Sequence, residues 1–221
     1  MGIKERQERD REAVRRAILD AARDLFVSEG YENVSIRKIA ERIEYSPAAI
    51  YGYFPSKDDI FFALADEGFR LLADPAQIDF ESLSHLEPLE RIRRLFWHWY
   101  EFSRNHPQYF ALMFVDRSVP RISREYERFA FVHEWKERLI DDIRGCVEAG
   151  TLPKTVEPAV AIRLLTMGLF GVAVMRISER LSQNEDPDAL ARNIVNVIIA
   201  GLQSGVALDS ESVACRSGAV R

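Results

Sequence analysis

Apolar residues recur at three- and four-residue intervals through nearly every segment of this chain, and no stretch alternates apolar and polar residues as a half-buried strand does. Its 11 glycines and 9 prolines are grouped at a few places, where they act as stops. The pattern predicts an all-α protein. The first helix is expected over about 10–29, with Val14, Ile18, Ala21, Ala22, Leu25 and Phe26 on one stripe and Gly30 as its C-cap. Three short helices follow at about 35–43, 47–54 and 57–72. The stretch 73–88, with two prolines and many small polar residues, reads as a linker. Further helices are expected at about 89–105, 107–117, 123–149, 158–181 and 187–206. The tail 209–221 has little to bury and is expected to be disordered.

A chain of 221 residues fits one small domain and one of ordinary size, and 47% apolar residues suffice for a core. The opening dozen residues are almost all charged, so no signal peptide is expected. The longest uncharged runs, 164–175 and 193–208, fall short of the roughly 20 apolar residues of a membrane span. Cys146 and Cys215 form no ligand or redox pair, which suits a reducing cytoplasm. Net charge is −5, and residues 1–60 hold 11 Lys/Arg against 12 Asp/Glu, so composition alone does not suggest nucleic acid.

The most informative segment is 33–58, NVSIRKIAERIEYSPAAIYGYFPSKD. Ser35 can cap a helix whose inner face is Ile36, Ile39, Ala40 and Ile43, and the small Ala40 lets a second helix cross closely. Ser46 is a natural N-cap, with Pro47 at the first helical position. The second helix is read as burying Ile50, Tyr51 and Phe54 before Pro55 breaks it and Ser56 caps the next. Two turns are too few for a stable isolated helix. Such a helix makes sense with its outer face inserted into a major groove.

This segment resembles the DNA-binding domain of the TetR family of bacterial repressors. The matching elements are Ser35-Ile36-Arg37-Lys38-Ile39-Ala40, Ile50-Tyr51-Gly52-Tyr53-Phe54 and Pro55-Ser56-Lys57, preceded by Phe26-Val27-Ser28-Glu29-Gly30-Tyr31. The likeness covers about 10–66. It implies a three-helix helix-turn-helix domain over 1–66, with 1–9 as a flexible arm, joined to a larger helical effector-binding and dimerisation domain over 67–208. Where the family usually has Gly at the turn, this chain has Glu44, which costs about 1 kcal/mol if the residue is left-handed. The recognition helix offers few hydrogen-bonding groups. Ala48 or Ala49 can meet thymine methyls beside Pro47, while Arg37, Tyr45, Ser46 and DNA shape carry the remaining specificity. The resemblance puts Ser35, Lys38, Tyr51, Tyr53 and Lys57 at phosphate-facing positions. Lys57 and the N–H groups opening the fourth helix make an anion site, and Lys4, Arg6, Arg9 and Arg11 can follow the groove. Lys38 and Arg42 fit a solvated face equally well, and Tyr51 fits either core or contact.

The stretch 95–114 is unusually aromatic and resembles the helix-His-Pro-helix element of family effector domains. Such residues are often plain core, but these are too many for one stripe. Trp97, His98, Glu101, Phe102, Phe110, Met113, Phe114, Phe129, His133, Met167 and Phe170 are the candidate lining of an apolar pocket, with Arg163 a further polar handle. The expected effector is small and hydrophobic or aromatic. The last two helices are apolar around most of their circumference, as helices buried on two sides are. Leu164, Gly168, Gly171, Met175, Ile194, Ile198 and Leu202 are the candidate homodimer interface, with a wholly intrachain core as the alternative.

The expectation is a cytoplasmic homodimeric repressor that binds a palindromic double-stranded operator and leaves it when its effector binds, with the fourth helix as lever. The rivals are a helical-bundle enzyme or ligand carrier, and a ligand-independent or activating regulator. None of His85, His98, His106 and His133 has Glu three residues before it, and no hydrolase, metalloprotease, P-loop or dinucleotide fingerprint occurs. No catalytic residue, metal, cofactor or membrane partner is therefore expected.

Overall fold

A computed structural model describes residues 2–74, 79–120 and 130–205. Those residues form ten α-helices and no strand: α1 (Ile3–Glu29), α2 (Ile36–Arg42), α3 (Pro47–Tyr51), α4 (Lys57–Leu72), α5 (Phe80–Leu83), α6 (Pro88–Asn105), α7 (Pro107–Phe110), α8 (Ala130–Glu148), α9 (Pro158–Ile177) and α10 (Pro187–Gln203). The all-α expectation holds. Phe129 and the tail 209–221 lie outside the described residues, as does the start of the helix expected from 123, and the His133 side chain is likewise not described.

The chain divides into two compact units, one of residues 1–74 with 105–129 and one of 75–104 with 130–221. The expected domain boundary lay at 66–67; the first unit extends to Asp74 and also takes in the segment after α6. In this unit α1 packs on α2 and α4, and α7 packs on α1 and α4. Ile18, Ala22, Phe26, Ile39, Ala40, Ile50, Ile60, Phe61 and Leu64 form its buried interior. Gly68 on α4 admits α7, since a Cβ there would stand 2.3 Å from Met113 Sδ and 3.2 Å from Tyr109 Cδ1. Arg16 of α1 hydrogen-bonds Asp20 of the same helix and Glu67 of α4, and the hydrogen bond from Arg16 holds the Asp20 carboxyl below its ordinary range.

The second unit is built around α6, α8, α9 and α10, whose inner faces share a core of Ile92, Phe96, Tyr100, Ile143, Leu165, Leu169, Val172, Val195 and Ile199. Polar ties close its margins. Tyr100 Oη donates to Asp188 at 2.9 Å, Arg104 pairs with the same carboxylate at 2.7 Å, and Arg91 pairs with Asp142.

Several expected bounds are corrected. Residues 3–9 are not a loose arm but the first turns of α1: Lys, Glu, Arg and Gln are good helix formers even without an apolar stripe, and Glu5 accepts from the Gly2 N–H at 2.8 Å. The helix expected over 47–54 stops, as α3, at Tyr51, and 52–54 continue as tight turns. Within the expected linker, Asp79 caps the short helix α5. The helix expected over 107–117 is one α turn followed by a π turn at Ala111–Val115. The helix α9 ends at Ile177, with Glu179 left-handed at φ 54°. It is also long and apolar enough to cross a bilayer by composition, with mean hydropathy 1.8, although Arg163 and Arg176 interrupt its uncharged run.

Candidate nucleic-acid interface

The turn between α2 and α3 is fixed by backbone geometry. Glu44 sits at φ 59°, the left-handed conformation expected of it. The Tyr45 N–H reaches back to Ala40 O at 2.9 Å and the Glu44 N–H to Glu41 O at 3.3 Å, which is the Schellman pattern that closes a helix C-terminus. Ser46 Oγ then accepts from the Ala49 N–H at 3.2 Å to open α3, with Pro47 in the first turn. Ser35 caps α2 in the same way, accepting from the Lys38 N–H at 3.2 Å. Ile50 is fully buried beneath α3 and fixes which face turns outward.

That outward face carries most of the residues expected to meet DNA. Ser35, Arg37, Lys38, Tyr45, Ser46, Pro47, Ala48 and Tyr51 are exposed, and Ala49 and Tyr53 are half-buried. Tyr51, which fits either core or contact by sequence, is 55% accessible. Arg37 pairs with Glu41 one turn on at 2.8 Å, and Lys38 pairs with Glu29 and donates to Asn33 O. These exposed pairs are weak and can be exchanged for phosphate. Arg42 is exposed and has no hydrogen bond or ion pair among the described residues. The guanidinium of Arg11 lies over the Tyr53 ring at 5.4 Å, which brings the first turns of α1 beside the end of the recognition segment.

Lys57 departs from expectation. Its ammonium donates to Tyr31 O at 2.8 Å and Val34 O at 3.0 Å, and stands 4.0 Å from the Tyr31 ring centroid. Part of the expected anion site at the start of α4 is taken by the helix's own cap. Ser56 Oγ accepts from the Asp59 N–H and donates to the Asp59 carboxylate, and Asp58 accepts from the Tyr31 hydroxyl. Burial and Asp58 together push that phenol well above its ordinary range. Apart from the Gly30-Tyr31 and Ser56-Lys57 signatures, this cluster has no mark in the sequence.

Two family models match the chain. The description "Bacterial regulatory proteins, tetR family" covers 18–64, and "Tetracyclin repressor-like, C-terminal domain" covers 92–198, between them more than half of the residues. The chain belongs to the TetR family. This TetR-family chain is 43% identical over 61 residues to the HTH-type transcriptional repressor Rv1474c of Mycobacterium tuberculosis, a match spanning 28% of the chain and 33% of that relative, about a third of its length. Two solved structures share the fold. The transcriptional regulator FadR of Bacillus subtilis, in complex with stearoyl-CoA, superposes with a TM-score of 0.65 at 14% identity, covering 84% of this chain and 97% of that one. AibR, in complex with isovaleryl coenzyme A and operator DNA, gives 0.62 at 20% identity over 83% and 96%.

Elsewhere in this TetR-family chain the candidate effector residues divide between the units. Phe110 and Met113 are buried in the first unit, and Phe114 packs there on Phe69 and Phe110 at 6.3 and 5.2 Å. In the second unit, His98 and Phe102 are buried, Trp97 is tilted against Tyr100 and lies under the Arg192 guanidinium, Glu101 pairs with Arg104, and Phe170 stacks on Trp99. Met167, expected in a pocket, is instead 62% exposed, and Arg163 is also exposed. A cleft of about 340 Å³ lies in the second unit between α8 and the start of α9, lined in part by Ile140, Arg144, Val147, Val156 and Pro158, none of them among the expected pocket residues.

The candidate dimer residues sort by face. Leu202 is only 5% exposed and belongs to the intrachain core, not to an outer surface. Gly168 serves the intrachain crossing, since a Cβ there would stand 2.5 Å from Ile194 Cγ2 and 2.9 Å from Ile198 Cδ1. Outside this crossing lie Met167, Gly171, Met175 and Val197, all exposed, with Leu164, Ile194 and Ile198 half-buried at their edge. A Cβ on Gly171 would meet nothing within 4 Å.

Proposed function

We propose that this protein is a transcriptional repressor that binds a palindromic double-stranded operator as a homodimer, in the cytoplasm, and is released by a small hydrophobic effector. The observation that carries the reading is the α2–α3 pair. A Schellman turn at Glu44 and a Ser46 cap hold a five-residue helix whose outer face, Pro47, Ala48 and Tyr51, has no neighbour to cover it. A helix this short gains its stability from packing, and an exposed apolar and aromatic face suits a groove lined by thymine methyls. Residues 1–66 are assigned to DNA binding. Ser35, Lys38, Tyr51 and Tyr53 are assigned to phosphates, and Arg37, Tyr45, Ser46, Ala48 and Ala49 to base edges and groove shape. Residues 67–208 are assigned to effector binding and dimerisation.

The dimer reading is supported by the outer face of α9 and α10. Met167, Met175 and Val197 are large, apolar and exposed side by side on two adjacent helices, which is the mark of an association surface. Two-fold pairing supplies the two recognition helices, about 34–36 Å apart, that successive major grooves require.

The effector reading is supported by the aromatic composition of α6 and by the fold neighbours FadR and AibR, whose structures hold acyl-CoA thioesters. An acyl-CoA is accordingly the first effector class to assay, with aromatic acids second. Helix α4 is assigned as lever because its first residues hold Tyr31 beside the α2–α3 pair and its far end carries the segment that follows α6, packed at Gly68. A coupling of about 1–3 kcal/mol gives the 5–150-fold loss of operator affinity that release requires.

The deciding experiment is selection of duplexes from a random pool by the purified protein, followed by titration of the selected duplex with acyl-CoAs of graded chain length. A palindromic consensus released by one thioester class is expected. Equal recovery of all sequences would overturn the operator reading, and stable retention on DNA at saturating thioester would remove this effector class.

A further inference from the structure

We propose that Lys57 is a positioning residue that sets the entry of α2, and not a phosphate ligand; the proposal rests on DNA binding through the α2–α3 face. Its ammonium has three N–H donors. Two go to Tyr31 O and Val34 O, 26 and 23 residues earlier, while the charge sits over the Tyr31 ring. These carbonyls bracket the 3-10 turn Tyr31–Asn33 and the buried Val34. The next residue, Ser35, is the cap of α2. Lys57 therefore ties the start of α4 to the residue just before the helix that orients the recognition turn.

The surroundings reinforce the assignment. Asp58 takes the Tyr31 hydroxyl, so the same tyrosine is held at ring, carbonyl and phenol by two consecutive residues of α4. Asp58 and Asp59 place two carboxylates in the first turn of α4, where an approaching phosphate meets like charge. Turning Lys57 outward to reach DNA would take the donor from Val34 O and leave Tyr31 O with only the 3.3 Å bond from the Val34 N–H. A lysine committed to the turn fixes geometry and carries no share of counterion release.

The test compares wild-type protein, Lys57→Met and Lys57→Gln on the duplex that wild type selects and on an unrelated duplex of equal length, across a salt series well below the melting temperature. A phosphate ligand contributes about 0.9 to the slope of log affinity against log salt, so losing one from each subunit of a dimer would flatten the slope by about 1.8. We expect the slope to stay within about 0.3 of wild type. The ratio of selected to unrelated affinity should fall roughly tenfold in Lys57→Met. Lys57→Gln, whose neutral amide still offers two N–H groups, should recover part of it. Without DNA, amide exchange over 34–39 should be faster in Lys57→Met. A flattening near 1.8 with unchanged ratio and exchange would overturn the proposal. If wild type selects no sequence, the DNA-binding reading fails and the exchange arm still decides: unaltered exchange rejects the positioning role. Should Lys57→Met not fold, Lys57→Gln carries the slope and exchange readings.

Discussion

Glu44 has a backbone conformation that glycine would adopt more cheaply, yet the Schellman bonds from Tyr45 and Glu44 hold it there. The left-handed strain is about 1 kcal/mol, and the extra freedom of glycine in the unfolded chain offsets part of the relief. Glu44→Gly is therefore expected to raise stability to urea by about 0.5 kcal/mol while leaving operator affinity unchanged, since the turn geometry is kept. Loss of stability would mean that the Glu44 side chain holds the turn. The same residue shows how far a local reading reaches. The positive φ was legible because a missing family glycine is visible in the sequence. The partners of Lys57 were not, because carbonyls 26 and 23 residues away carry no sequence pattern.

At the scale of elements, the two glycines of α9 make opposite predictions although they stand one turn apart. Gly168 lies beneath Ile194 and Ile198, and the near atom of Ile194 is the γ-methyl on a χ1-stiff β-branched side chain, so Gly168→Ala should destabilise the protein by about 1–3 kcal/mol. Gly171 faces open space within the chain, so Gly171→Ala should leave the folded subunit unharmed, with a helix-propensity gain of up to about 1 kcal/mol. Thermal unfolding of the two variants checks the contrast, and equal effects would refute this sorting of faces. The sequence showed that α9 was apolar all round but not which glycine served which neighbour. Periodicity gave α4 its observed bounds, because caps and stripe agree there. It missed the π turn at Ala111–Val115, whose wider hydrogen bonds leave no 3.6-residue signature, and it missed the first turns of α1, which have helix-forming residues but no buried face.

For the whole molecule the constraint is charge. A protein of net charge −5, with a DNA-binding segment close to neutral, gains little from long-range attraction to DNA. In the proposed dimer, affinity depends on a few well-placed contacts doubled by symmetry, which links dimerisation to DNA binding. Met167→Glu combined with Val197→Glu tests the linkage. Both side chains are already mostly exposed in the single subunit, at 62% and 70%, so the substitutions should not disturb its core. Across a two-fold interface they would set like charges against each other out of water, which costs several kcal/mol. Sedimentation should then report a monomer with a melting curve broadened or lowered only by the loss of its partner. On the selected duplex this monomer should show about half the wild-type salt slope, because half the phosphate contacts remain. Its affinity should fall by orders of magnitude, with protection confined to one half-site. A variant that stays dimeric would move the interface elsewhere. A monomer with full slope and full affinity would mean that one subunit makes every contact, and the palindromic reading would have to be given up.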